Sequence, residues 1–263
     1  MPQSYFAAAI GSTPSCIVDL VARLDELIAR NLGISKTAVA RLCDEARVRA
    51  PDGAILSDRK AMMVAGADPL APAARVRIDD DEVALYDSAV VLQHKPVGVV
   101  TALHDNRHPT AYALLEDAPL FGELRAVGRL DLESSGLLLW TTDGALTQRL
   151  THPKRRVPRT YQAALAGPFR APAPDLTLED GYRPEIVALG ELTRAAAHPG
   201  LIVGPEAATL ATITIVGGAY HEVRRIFAAL GSHVTGLCRV SFGDYTLPGD
   251  LPPGAWRLVP PLG

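Results

Sequence analysis

Residues 208 to 231, ATLATITIVGGAYHEVRRIFAALG, change hydrophobic period midway, and that change limits what the chain can build. Up to Val216 the segment is β-branched and reads as a strand. Beyond Gly217 and Gly218, Val223, Ile226, Phe227 and Leu230 recur at helical spacing and form one apolar face. With Val223 at zero and a rotation of about 100° per residue, His221 and Arg225 fall away from that face and Arg224 lies on its flank. Packing side chains are thereby separated from side chains free to meet a ligand. Gly231 closes the helix as a left-handed cap.

The same reading places strands in AVVLQHKPVGVVTAL, LRAVGRL, GLLLWTT and RTYQAALAG, and a helix in GALTQRL with Asp143 as its cap or turn residue. Proline and glycine at 167, 168, 172, 174, 181 and 184 mark loops. This order predicts a mixed α+β architecture with much antiparallel sheet, not a regular βαβ array. Before it, LVARLDELIARNLGISKTAVARL predicts two short helices joined at Gly33, the second capped by Ser35, followed by the strand-like ARVRAP. Residues 1–20 read as a leader, 21–87 as a small helix-rich module with its linker, and 88–263 as the larger domain. The acidic run Asp79, Asp80, Asp81 and Glu82 reads as a solvated turn, because adjacent acids do not by themselves converge on a metal.

With 263 residues, 48% of them hydrophobic, the chain can bury more than one core. Its net charge of −3 excludes a uniformly basic surface but not a local patch. Cys16, Cys43 and Cys238 form no C-x-x-C pair, which argues against a disulfide framework or a cysteine-rich zinc site. The first residues lack the pattern of a secretory signal, and no apolar run reaches membrane-span length. The expectation is a soluble cytoplasmic protein.

Two features carry chemistry. QRLTHPKRRVPRTY contains Arg149, Lys154, Arg155, Arg156 and Arg159 and no acid; with Arg224, Arg225 and Arg239 it can present a positive surface, and Tyr161 can stack on an exposed base. In AVGRLDLESSGLLL, Val127, Leu130 and Leu137 to Leu139 are expected to anchor strands, with Ser134, Ser135 and Gly136 shaping the connection. Asp131 there is either a turn residue satisfied by Arg129 or an attacking carboxylate kept ionised by it. Residue chemistry alone leaves both readings open. The dinucleotide, phosphate-loop, nucleophile-elbow and zinc-deaminase signatures are absent, which favours chemistry without a cofactor.

VGRLDLESSGLLLWTTDG resembles the RsuA-type family of ribosomal RNA pseudouridine synthases, and HKPVGVV, THPKRRVPRTY and GGAYHEVRRIFAALGSHVTGLCR follow in that family's order. RLDELIARNLGISKTAVARLCDEARV is similar to an S4-type RNA-binding domain. The resemblance implies an S4-like module followed by a pseudouridine synthase domain that isomerises a uridine already in RNA, with no cofactor or metal. It implies Asp131 as nucleophile, Arg129 as its support, Tyr161 packing on the base, and Arg224 pairing with the acid. Arg159 stands where that family's lysine is usual, Glu222 where glutamine is usual, and His94 where asparagine precedes Lys95, Pro96 and Gly98. The expected RNA contacts are Arg23, Lys36, Arg41, Arg47 and Arg49 in the first module. In the second they are Lys95, Lys154, Arg155, Arg156, Arg159, Arg225 and Arg239. NRHPTAYALLEDAP and AALGSHVTGLCRVSFGDYTL are similar to the small-subunit enzymes, so the implied partner is 16S ribosomal RNA or an assembly intermediate, met by a monomer. Competing readings are a large-subunit target, an RNA glycosylase, and a noncatalytic RNA chaperone or ribosome-assembly protein.

Overall fold

The computed structural model describes residues 21–64, 68–172 and 175–262; the expected leader lies outside them. Strand β1 (Val21–Arg23) leads into α1 (Leu24–Leu32) and α2 (Lys36–Asp44). Gly33 breaks the pair at φ +64, and the Ser35 hydroxyl accepts from the Ala38 amide at 3.1 Å, as the sequence predicts. Four short strands follow: β2 (Val48–Arg49), β3 (Met62–Val64), β4 (Ala74–Ile78) and β5 (Asp81–Leu85). β1 pairs with β3, and β2, β4 and β5 form an antiparallel sheet. Leu24, Leu27 and Ile28 of α1 meet Val39, Val48, Val76 and Leu85 in a separate small core. Of the acidic run only Asp79 and Asp80 form the β4–β5 turn, where Asp79 takes φ +56 and pairs with Arg47; Asp81 and Glu82 are the exposed first residues of β5.

The rest of the chain builds one larger sheet. Its elements are β6 (Val90–Lys95), β7 (Arg125–Val127), β8 (Ser134–Thr141), α3 (Gly144–Thr151), β9 (Arg159–Leu165), β10 (Ile186–Glu191), β11 (Thr209–Ile215), α4 (Glu222–Ala229), β12 (Val234–Phe242), β13 (Tyr245–Thr246) and β14 (Trp256–Leu258). The strand order is β10-β11-β9-β12-β8-β6-β14, with β13 on β12 and β7 on β8. Among the described strands of this sheet, the β8–β12 pair alone is parallel. The mixed, largely antiparallel expectation therefore holds.

Alternation along the strands sends side chains into two apolar layers. Val91, Leu138, Trp140, Tyr161 and Ile213 face one layer, covered by residues from Val99 to Leu124 and by Val223, Ile226, Phe227 and Leu230 of α4. Val90, Leu92, Leu137, Leu139 and Phe242 face the other, covered by Leu146 and Leu150 of α3. The α4 face is the one the spacing predicts, and Gly231 follows it at φ +80. Asn31 and Arg30 of α1 join the first module to the second: Asn31 brackets the Tyr86 backbone, and Arg30 binds Asp87 and Glu123.

One expectation is corrected. Ser134, Ser135 and Gly136 are not a connection but the first residues of β8, registered on Leu237, Cys238 and Arg239 of β12. Their small side chains read as turn formers, yet close parallel pairing requires them. Gly136 stands at φ +112, and a Cβ there would overlap the Arg239 backbone. Gly136→Ala is expected to lower stability by about 3 kcal/mol, because it combines a forbidden φ with a backbone clash. Urea denaturation checks this, and an unchanged midpoint would refute the close-approach account.

Candidate active site

Asp131 sits on the segment between β7 and β8, where the backbone leaves the sheet and its carbonyls need other partners. Each carbonyl from Arg129 to Ser134 has one. Arg239 Nη1 donates to Arg129 at 3.4 Å, Thr101 Oγ1 to Leu130 at 2.9 Å, and the Gly98 amide to Leu132 at 2.9 Å. Arg224 Nη2 donates to Glu133 at 3.2 Å. Lys95 Nζ donates to Asp131 at 2.9 Å, to Ser134 at 2.7 Å and to Pro96 at 3.0 Å. Burial pulls the Lys95 ammonium down to about 8, opposed by the Asp131 carboxylate and aided by Arg239. The loop is thus held from beneath while the Asp131 carboxylate, 39% exposed, stays open to solvent.

That carboxylate opens on a cleft of about 960 Å³. Tyr161 and Arg239 stand opposite each other in the β9–β12 register and line it, with Arg159 and Ile215. The turn before α4 supplies another wall. His221 there takes φ +51, stacks on Tyr220 at 3.9 Å, and brings Nε2 to 3.6 Å from Asp131 Oδ1. Glu222 points inward and is buried: it accepts from the Ala219 amide at 2.9 Å and from the Tyr182 hydroxyl at 3.0 Å. Burial, with Glu222 beside it, pushes the Tyr182 phenol up to about 12.

The expected site residues divide sharply. Asp131, Arg129, Tyr161, Arg156, Arg159, Arg224 and Arg239 line the one cleft. Arg129 is exposed, however, and forms no ion pair with Asp131; the side chain that comes to the carboxylate is the His221 imidazole. Arg224 pairs with Glu133 at 3.8 Å rather than with Asp131, because its guanidinium is drawn beneath the loop by the carbonyls of Val234 and Glu133. Lys95 and Arg239 are buried, not surface cations, each occupied by backbone carbonyls. Arg23, Lys36, Arg47, Arg156 and Arg225 are engaged by Asp25, Glu26, Asp79, Glu185 and Asp180. Arg49 donates to the Gly53 carbonyl. Arg41, Lys154 and Arg155 are exposed without an ion pair among the described residues. His94 is a packing residue whose Nδ1 donates to the Leu251 carbonyl at 2.7 Å; burial lowers its pKa.

His152, Tyr182 and Arg183 also line the cleft and were not singled out from sequence. Tyr182 and Arg183 come from a loop rich in proline and glycine with no periodicity to point inward. His221 was placed off the packing face of α4, but nothing in its spacing showed that the loop acid would meet it.

Residues 89–229 match the family described as RNA pseudouridylate synthase. The chain is 34% identical over 236 residues to ribosomal small subunit pseudouridine synthase A of Yersinia pestis, covering 89% of this chain and 93% of that protein. It is 34% identical over 236 residues to the protein of the same name from Escherichia coli (strain K12), covering 89% and 95%. A crystal structure of a pseudouridylate synthase superposes with a TM-score of 0.53 at 28% identity, covering 90% of this chain and 95% of that one.

Lys95→Met keeps length but removes the donors, and is expected to cost about 2 kcal/mol by leaving buried carbonyls unpaired. Urea unfolding measures it. In the wild type, Lys95 holds its third proton below about 8 and sheds it above, leaving two hydrogens for its carbonyls. Turnover should therefore fall as pH rises through about 8, and this alkaline limb should be missing from the residual activity of Lys95→Met.

Proposed function

The chain belongs to the RNA pseudouridylate synthase family, and from that premise we propose that it isomerises one uridine of 16S ribosomal RNA to pseudouridine with Asp131 as nucleophile. The observation that carries this reading is the Asp131 carboxylate, solvent-accessible on a loop whose carbonyls are all tied down, beside a cleft lined by Tyr161. A fixed acid next to an aromatic face suits a reaction in which a base is detached, retained and rejoined.

In this reading the target uridine leaves its stack and enters the cleft, where Tyr161 packs on the ring. The C1′–N1 bond breaks, the base turns, and C5 bonds to C1′; C5 then gives up a proton and N1 gains one. Reactant and product are isomers, so no redox carrier or energy-yielding nucleotide enters. Arg224 supports the loop through the Glu133 carbonyl, and exposed Arg129 on the rim is available to the incoming strand. Lys154 and Arg155 extend that positive rim. Residues 21–87 act as an S4-like RNA-binding module and 88–263 as the catalytic domain. The small-subunit assignment is supported by the names of relatives matched over most of their length. The protein works as a cytoplasmic monomer; no helix among the described residues is long and apolar enough to cross a membrane.

The test is incubation with unmodified 16S and 23S RNA, followed by carbodiimide modification and primer extension. One new stop in 16S RNA is expected. Product confined to 23S RNA would overturn the substrate, and no product from folded, RNA-bound protein would overturn the activity. Asp131→Ala is expected to abolish the stop, a loss of at least about 1,000-fold, while RNA affinity stays within about threefold. Raising salt from about 50 to 200 mM should weaken RNA binding roughly 10-fold or more if the rim cations meet phosphate; a filter-binding assay reads this.

A further inference from the structure

Arg239 is 1% exposed and yet lines the cleft. Its Nε donates to the Leu137 carbonyl at 2.8 Å, and Nη1 reaches the Arg129 carbonyl at a long 3.4 Å. Nη2 is buried and has no hydrogen-bond partner among the described residues. No carboxylate among them pairs with this guanidinium. A buried cation with an unused donor is costly unless something completes it.

Its neighbours do not supply the missing charge. The Arg239 guanidinium lies 5.0 Å from the centre of the Phe242 ring, and that of Arg159 lies 4.6 Å from the same ring. Arg159 binds the Gly217 carbonyl, not an acid. The floor of the cleft therefore concentrates positive charge that the protein leaves incompletely matched. Position says what would match it. Arg239 is the cross-strand partner of Tyr161, and directly opposed residues share a face with Cβ atoms about 5 Å apart. A base packed on Tyr161 lies within reach of Arg239.

Resting on the isomerisation proposed above, we propose that Arg239 is a further catalytic residue whose guanidinium, its unpartnered Nη2 uncovered as the base enters the cleft, donates to a ring carbonyl oxygen of the target uracil and holds the negative charge of the detached base. When the C1′–N1 bond breaks, its electron pair leaves with the uracil and spreads over N1 and the carbonyl oxygens, while C1′ bonds to an Asp131 carboxylate oxygen. After the base turns, C5 supplies the electrons of the new bond to C1′, the Asp131 oxygen departs with its pair, C5 releases its proton, and N1 is protonated. The charge on the base exists only between these events. A donor aimed at it lowers the barrier without tightening binding of the intact uridine.

The experiment compares wild type, Arg239→Met and Arg239→Lys in single-turnover reactions on RNA carrying either uridine or 5-fluorouridine at the target. Fluorine withdraws electrons and stabilises the uracil anion unaided. Loss of the starting nucleoside is the readout, with RNA affinity and thermal unfolding measured alongside. For uridine, Arg239→Met should be slowed about 100-fold with affinity within about threefold, and Arg239→Lys should recover about tenfold of that loss. For 5-fluorouridine, the penalty of Arg239→Met should shrink to about tenfold or less. Equal penalties on both substrates would assign Arg239 a structural role and overturn the proposal, as would a wild-type rate in Arg239→Met. If Arg239→Met does not fold, Arg239→Lys carries the same comparison: a smaller penalty on 5-fluorouridine supports the proposal and an equal one overturns it. Wild-type protein that forms no pseudouridine would instead overturn the isomerase reading and this inference with it, whereas wild-type product with an insensitive Arg239 sinks the inference alone.

Discussion

The contact on which the site depends is that of the Lys95 ammonium with the carbonyls of Pro96, Asp131 and Ser134. Between β7 and β8 the backbone has left the sheet, so its polar groups lie inside the protein without ladder partners. Desolvating a lysine costs several kcal/mol, but charge-assisted bonds to carbonyls offset that cost where the geometry converges. Lys95 can converge because it is the last residue of β6 and pairs with Gly136 at the start of β8. Gly136, lacking a side chain, lets β12 run parallel and close, which brings Arg239 beneath the same loop. Sheet register therefore fixes the position of a carboxylate that belongs to no strand.

Charge is sorted by burial. With a net charge of −3 the chain exerts no general attraction on RNA, so selectivity has to come from where cations are placed. Arg156 and Arg225 are joined to Glu185 and Asp180, and these pairs bracket the segment that brings Tyr182 and Arg183 to the cleft. Exposed pairs of this kind add little stability, so their effect is mainly to position that segment. Lys154 and Arg155 remain exposed, while Arg159 and Arg239 line the cleft and Lys95 lies buried under its loop.

Local order was legible in the sequence wherever one physical cause decided it. The α4 face, the Gly33 break, the Ser35 and Asp143 caps and the strands β6, β8, β9 and β11 follow from period, cap chemistry and β-branching. β10 was missed because it is an edge strand whose residues are all half-buried or exposed, so IVALGE shows no alternation. Ser134 to Gly136 were misread because small residues signal turns as strongly as they permit close strand pairing. The family pattern alone singled out Asp131 as the candidate nucleophile; residue chemistry left it ambiguous. Its partners were not legible: whether a cation meets a carboxylate or a carbonyl depends on packing between segments far apart in sequence, as the contacts of Arg224 with Val234 and Glu133 demonstrate.

The buried carboxylate of Glu222 at the start of α4 is explained by the same logic of satisfied groups. A buried carboxylate is tolerated only if donors surround it, and here the Ala219 amide and the Tyr182 hydroxyl do so. Gly217 leaves the space, since a Cβ at that position would overlap the carboxylate. These contacts over-determine the turn, which is the condition under which a non-glycine residue persists at positive φ. His221 is that residue, and its left-handed backbone directs the ring to Asp131. The double-glycine break that ends the strand in the sequence is thus what allows a buried acid on one side of the turn to hold an imidazole against the Asp131 carboxylate on the other.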